Sequence, residues 1–184
     1  MSRAFLDACV LYPPLVRALL IGAAEAELFV PLWSARVLAE WRIAVAAKRG
    51  MAAEGEALAA QAAMAARFPE AQVEAGAEVE AAIRLPDPAD AHVLAAAAAG
   101  GAEALVTFNL RDFPRRVLAG QGIEARHPDG FLWELWSVAP DRMDPVVGAA
   151  LAAAGIGPER ARAALKRAKL PRLGKAVAGG AGDN

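Results

Sequence analysis

Apolar positions fall into short runs separated by alanine-rich stretches with helical periodicity. The run RAFLDACV at 3–10 predicts a buried first strand with Asp7 near its C-terminal end. Two prolines, Pro13 and Pro14, open an amphipathic helix over 15–27, and residues 28–32 predict a second short strand. Ser34 is an N-cap candidate for a helix to about Arg49, with Val37, Leu38, Trp41 and Val45 on its apolar face. Residues 51–67 form another alanine-rich helix, stopped by Phe68-Pro69, and the acidic, weakly helical stretch 70–84 reads as a solvated face.

Residues 85–113, LPDPADAHVLAAAAAGGAEALVTFNLRDF, organise the rest. Asp87 caps a helix that Pro88 opens, Gly100-Gly101 ends it, an apolar strand follows over 104–108, and the chain breaks at Asn109-Leu110-Arg111-Asp112. A helix leading into a strand of an open α/β sheet runs antiparallel to it. The helix start and the strand end therefore share one sheet edge, the edge where such folds bind ligands, and Asp90, Asn109 and Asp112 converge there. Residues 114–122 predict a short helix or loop, 123–126 a small edge strand, and Asp129 caps a helix carrying Phe131, Leu132, Trp133, Leu135 and Trp136.

The pattern changes after Ala139-Pro140. Asp144-Pro145 starts one helix and Pro158 a second, so that 141–173 reads as a helical hairpin. Residues 1–138 are expected to form the main domain, 139–175 a basic helical extension, and 176–184 a disordered tail.

With 184 residues the chain is long enough for one domain plus an appendage. No apolar run approaches the ~18 residues of a membrane span, and the first residues lack a signal-peptide pattern, which points to a cytoplasmic protein. One cysteine and two histidines exclude an intrachain disulfide and a structural zinc site. The net charge is −1 but unevenly placed: Arg160, Arg162, Lys166, Arg167, Lys169, Arg172 and Lys175 stand together without an acid.

Asp7, Glu40, Asp90 and Asp112, with Asn109 beside them, are candidates for one edge. Carboxylates held close repel and raise one another's pKa unless a cation intervenes. Oxygen-only donors suit Mg²⁺ or Mn²⁺ rather than zinc, and such a cluster suits phosphoryl transfer. Each acid also has a plainer reading. Asp7 can cap the turn that precedes Pro13, Glu40 can pair with Arg36 four residues earlier, and Asp90 can complement a helix dipole. His92 follows Asp90 by two, faces elsewhere on the helix, and receives no catalytic role.

Three segments carry a resemblance: LDACVLYP around Asp7, SARVLAEW around Glu40, and DPADAHVLAAAAAGGAEALVTFNLRDFP. Over about 3–137 the chain resembles the PIN-domain family, and most nearly the VapC-like ribonuclease toxins of bacterial toxin–antitoxin pairs. The resemblance implies a Rossmann-like α/β fold, a parallel sheet with helices on both faces, followed here by the helical hairpin. It implies one or two Mg²⁺ or Mn²⁺ ions on Asp7, Glu40 and Asp90, with Asn109 or Asp112 at the fourth position, where many members carry aspartate. Thr107 matches a hydroxyl position that orients the cluster. The implied reaction is RNA hydrolysis by a deprotonated water attacking in line, leaving 5′-phosphate and 3′-hydroxyl ends. A cognate antitoxin and a homodimer are the implied protein partners.

Arg36, Arg42, Arg111, Arg115 and Arg116 are candidate contacts to RNA phosphates. The basic segment 158–175 reads either as a wider RNA footprint, as a dock for an acidic partner, or as a solvated helix. A phospho-receiver fold is excluded because none of the lysines, Lys48, Lys166, Lys169 and Lys175, stands beside the strand-end loop after residue 104, and a haloacid-dehalogenase-like phosphatase because Asp7 lacks a second aspartate two residues on. The remaining alternative is a catalytically silent PIN domain that acts as an RNA- or protein-binding subunit.

Overall fold

The computed structural model describes residues 1–180. In chain order its elements begin with β1 (Arg3–Leu6), α1 (Ala8–Leu11), α2 (Pro14–Glu25), β2 (Val30–Leu32), α3 (Ala35–Arg49), α4 (Met51–Arg67) and α5 (Ala77–Ala82). A 3-10 turn at Pro88–Asp90 leads into α6 (Ala91–Ala99), followed by β3 (Ala104–Val106), α7 (Arg115–Ala119) and β4 (Glu124–Arg126). The remaining helices are α8 (Pro128–Val138), α9 (Pro140–Ala153), α10 (Pro158–Arg167) and α11 (Pro171–Gly180). The fold is α/β, as expected. No helix among the described residues is long and apolar enough to cross a membrane.

The chain divides into two compact units that do not follow its order. One comprises residues 1–12 and 29–126, the other 13–28 and the chain from 127 onward. The first unit contains the whole sheet, which is parallel throughout in the order β2-β1-β3-β4. Its central strands are short and apolar apart from Arg3 at the exposed start of β1: Phe5, Leu6, Leu105 and Val106 are entirely buried. β1 connects to its neighbour on one side, β3 to its neighbour on the other. The direction of winding reverses between β1 and β3, and the C-terminal ends of strands at such a switch point are where open α/β sheets bind ligands. The register aligns Leu6 with Val106, so the next residues, Asp7 and Thr107, emerge side by side.

The first strand is shorter than the apolar run 3–10 suggested. The carbonyl of Asp7 accepts the amides of Val10 and Leu11 at 3.1 and 3.3 Å, which turns the chain into α1. Ser34 caps α3 as expected, its Oγ accepting from the amide of Val37 at 3.2 Å, and Val37, Trp41 and Val45 are buried. Asp87 likewise caps the 3-10 turn by accepting from the amide of Ala89 at 2.9 Å.

In the second unit α2 packs with α8 and α9, and α11 packs with α8 and α10. The approach of α2 to α9 depends on Gly22, since a Cβ there would lie 2.8 Å from Val146 Cγ1. The hairpin is present as α9 and α10, but α9 starts at Pro140, and Pro145 lies inside it, where it cannot donate to the carbonyl four residues back. Asp129 does not cap α8. His127 does, its Nδ1 accepting from the amide of Asp129 at 3.2 Å. The buried carboxylate of Asp129 instead accepts from the amides of Arg172 and Leu173 at 3.0 and 3.1 Å and so caps the start of α11.

The tail expected to be disordered from 176 is helical to Gly180, and residues 181–184 lie outside the described part. Packing accounts for this: Leu173 is fully buried, and a Cβ on Gly174 would sit 3.2 Å from that of Leu165. Trp133 and Trp136 are half-buried within this unit. Arg172 stacks over the Trp133 ring at 4.0 Å, and Trp136 Nε1 donates to Asp144 at 2.7 Å.

Candidate metal centre

The candidate residues Asp7, Glu40, Asp90, Thr107, Asn109 and Asp112 all belong to the sheet-bearing unit. β1 delivers Asp7 and β3 delivers Thr107. α3 carries Glu40, the turn before α6 carries Asp90, and the loop after β3 carries Asn109 and Asp112.

Asp7 occupies the N-cap position of α1 but makes no side-chain cap. Its carboxylate, 9% exposed, is turned to Thr107 and Cys9 instead. The Thr107 hydroxyl donates to Asp7 Oδ2 at 2.7 Å, and the Cys9 thiol donates to the same oxygen at 3.0 Å. Thr107 Oγ1 also accepts from the amide of Asn109 at 3.0 Å, which fixes the start of the loop. The Cys9 sulfur accepts from the amide of Phe108 at 3.2 Å. Burial, reinforced by the charge and hydrogen bond of Asp7, pushes the Cys9 thiol up to about 12. Cys9 is therefore a donor to Asp7 at neutral pH and not a thiolate ligand. In the sequence this lone cysteine only excludes a disulfide and a zinc site. Its position two residues after Asp7, in the first turn of α1, is the local signal for this contact.

Asp112 is held in the same manner, Oδ2 accepting from the side-chain amide of Asn109. Glu40 Oε1 lies 2.9 Å from His92 Nε2 and 3.5 Å from Arg36 Nε. The ion pair to Arg36 is thus real, and it coexists with a contact that spacing along one helix did not reveal. His92 does not face away from the site residues; it meets Glu40 from α6. Burial lowers the His92 pKa, so the ring is neutral at pH 7.

One pattern joins these acids. Asp7, Asp112 and Glu40 each commit a single carboxylate oxygen to protein donors, Oδ2, Oδ2 and Oε1 respectively. The second oxygen of each is left for another partner. Asp90 is the most perturbed acid. Burial, followed by the charges of Asp7, Asp87, Asp112 and Glu40, pushes its carboxyl up to about 6. That ordering tells which acids share an electrostatic environment: all four candidate carboxylates do, with the cap Asp87 added. Among the described residues no group of three or more His, Cys, Asp or Glu closes on a single ion position.

The donor set fits a hard divalent cation. It offers carboxylate oxygens with one lone-pair edge uncommitted, no thiolate, and a histidine whose Nε2 is already engaged. Asp7, Asp90 and Glu40, with Asp112 or the exposed amide of Asn109, are the residues that would hold it.

The candidate phosphate contacts differ in availability. Arg36 is engaged by Glu40 and by Glu80 Oε1 at 3.1 Å, and Arg42 by Glu54 at 2.8 Å. Arg115 lies 3.9 Å from Glu124 but is 92% exposed, and Arg111 and Arg116 are exposed without an ion pair among the described residues. In the second unit Arg162, Lys166, Arg167 and Lys175 are exposed and likewise unpaired among the described residues.

Comparison with curated proteins and with solved structures gives no match. The family model for the PIN domain matches residues 3–111, which includes Asp7, Glu40, Asp90, Thr107 and Asn109 and stops one residue short of Asp112. The match spans more than half of the chain and carries three of the four parallel strands, β1, β2 and β3, with Asp7 and Thr107 directly after two of them. The chain belongs to the PIN domain family, whose members are nucleases as a class.

Proposed function

We propose that the protein is a metal-dependent endoribonuclease that hydrolyses RNA phosphodiester bonds using Mg²⁺ or Mn²⁺. The observation that carries this reading is the buried Asp7 carboxylate at the end of β1, held on one oxygen by Thr107 at 2.7 Å; burial, then the charges of Asp7, Asp87, Asp112 and Glu40, raise the Asp90 carboxyl in the same environment. Acids arranged to destabilise one another's charge are functional-site candidates, and a divalent cation relieves that repulsion. When bound, such an ion lowers the pKa of a water and neutralises charge at phosphate and leaving oxygen. The chain's own residues supply the rest. Thr107 and Cys9 hold Asp7, Asn109 holds Asp112, and His92 and Arg36 hold Glu40. Arg111, Arg115 and Arg116 are proposed to bind RNA phosphates.

The toxin role, with a cognate antitoxin as partner and a cytoplasmic site of action, is supported by the resemblance of the three segments around Asp7, Glu40 and Asp90. A homodimer is proposed on the same ground.

The decisive measurement is cleavage of structured and unstructured RNA by wild type and Asp90→Asn. Loss of cleavage in the variant supports the proposal; equal residual activity assigns any cleavage to a contaminant. A second reading, a silent domain that binds RNA or protein, is favoured by the lack, among the described residues, of three or more acids gathered on one ion position. It predicts RNA binding by wild type, with no metal-dependent cleavage under any ion.

A further inference from the structure

His92 is 6% exposed, and only one of its two ring nitrogens has work in the described structure. Nε2 meets Glu40 Oε1 at 2.9 Å, while Nδ1 is buried without a hydrogen-bond partner. A buried polar atom with no partner is a standing cost, and an apolar side chain would fill the same space without it. What the histidine adds is its contact with Glu40. That contact is not redundant with Arg36, which is half exposed, longer at 3.5 Å, and shared with Glu80. It also links two elements. Glu40 rides on α3, and His92 lies on α6 two residues after Asp90. The contact therefore ties an acid of one helix to the helix whose first turn presents the most perturbed acid of the site.

We propose that His92 is a positioning residue for Glu40. Its Nε2–H donates to Oε1, restrains the carboxylate across the α3–α6 boundary, and leaves Oε2 as the oxygen available to a cation. The proposal rests on the reading of Glu40 as a metal ligand. Groups that orient a ligand from behind typically change metal affinity by about 10–100-fold when removed.

The test compares wild type, His92→Leu, His92→Gln and Asp7→Asn in Mn²⁺ titrations followed by thermal melting. His92→Leu is expected to weaken Mn²⁺ binding by about 10–100-fold. His92→Gln, whose side-chain amide can donate from the place of Nε2, is expected to recover most of it. A merely space-filling role would show the reverse order, with Leu at least as good as Gln. Nitrogen NMR of the metal-free ring gives a readout independent of metal and of folding variants: the Nε2–H tautomer is expected, and the Nδ1–H tautomer overturns the proposal. Mn²⁺ binding that is lost in Asp7→Asn but unchanged in His92→Leu sinks the positioning role alone. Absence of Mn²⁺ binding in wild type sinks the metal reading and this proposal with it.

Discussion

Thr107 Oγ1 donates to Asp7 Oδ2 at 2.7 Å across one hundred positions of sequence, and the pairing of β3 with β1 is what brings them together. Thr107 is fully buried, so its hydroxyl has no solvent alternative. Thr107→Val keeps the shape and removes the donor. Mn²⁺ affinity should fall about tenfold, while Thr107→Ser should stay near wild type; calorimetric titration of the two variants decides. Equal affinities would show that Cys9 alone suffices to hold Asp7.

Asp90 gives a pH dependence with a definite sign. Its carboxyl rises from an ordinary 3.8 to about 6 in the fold. The folded state therefore binds the proton more tightly than the unfolded chain, so the contribution to stability is fully present below about pH 4 and is lost as pH rises through about 6. Asp90→Asn, a permanent mimic of the neutral acid, should raise the metal-free melting point at pH 8 and lose that advantage by pH 4. Asp90 is half-buried, so screening limits the gain to about 1 kcal/mol. A variant less stable than wild type at pH 8 would contradict the repulsion described here.

Millimolar Mg²⁺ or Mn²⁺ should raise the melting midpoint of the wild type, because the ion binds only the folded acids. Asp7→Asn should abolish that shift. An unmoved wild-type midpoint with both ions would end the metal reading.

Arginine pairing separates the RNA contacts. Arg116→Ala is expected to weaken RNA binding and to reduce the salt slope by about one, as loss of a phosphate contact does. Arg42→Ala, already tied to Glu54 at 2.8 Å, should leave both unchanged. Filter binding with Asp7→Asn as the background protein, across a range of salt, measures both. Matching losses in the two variants would show that the ion pair opens to RNA.

Asp129 makes a stability prediction in the second unit. Its buried carboxylate satisfies the first amides of α11, so Asp129→Ala should cost about 2 kcal/mol, and Asp129→Asn clearly less. Chemical denaturation distinguishes them. A cost below half a kilocalorie for alanine would mean that water replaces the cap.

What was legible in the sequence was what local rules govern. Ser34 and Asp87 cap the turns next to them, and the apolar runs before Asp7 and Thr107 became the central strands. What was not legible came from elements distant in sequence. His92 was placed by its spacing from Asp90, but it answers to α3. As a lone cysteine Cys9 only excludes a disulfide and a zinc site, while the sheet order turns its thiol toward Asp7. Asp129 has the right residue type for a cap and caps a helix more than forty positions later. The glycine-rich end of α11 has poor helix propensity, and burial of Leu173 and Gly174 overrides it.

The order of the strands has a consequence during synthesis. β3 lies between β1 and β4, and it is made only after the first hundred residues. A nascent chain carries Asp7 and Glu40 early, yet Asp7 lacks its threonine and the loop bearing Asn109 and Asp112 does not exist. No truncated product ending before Thr107 can assemble the edge. On the proposed reading of this edge, a chain still on the ribosome and missing β3 would be inactive, and would become competent only when most of the sheet-bearing unit has left the exit tunnel.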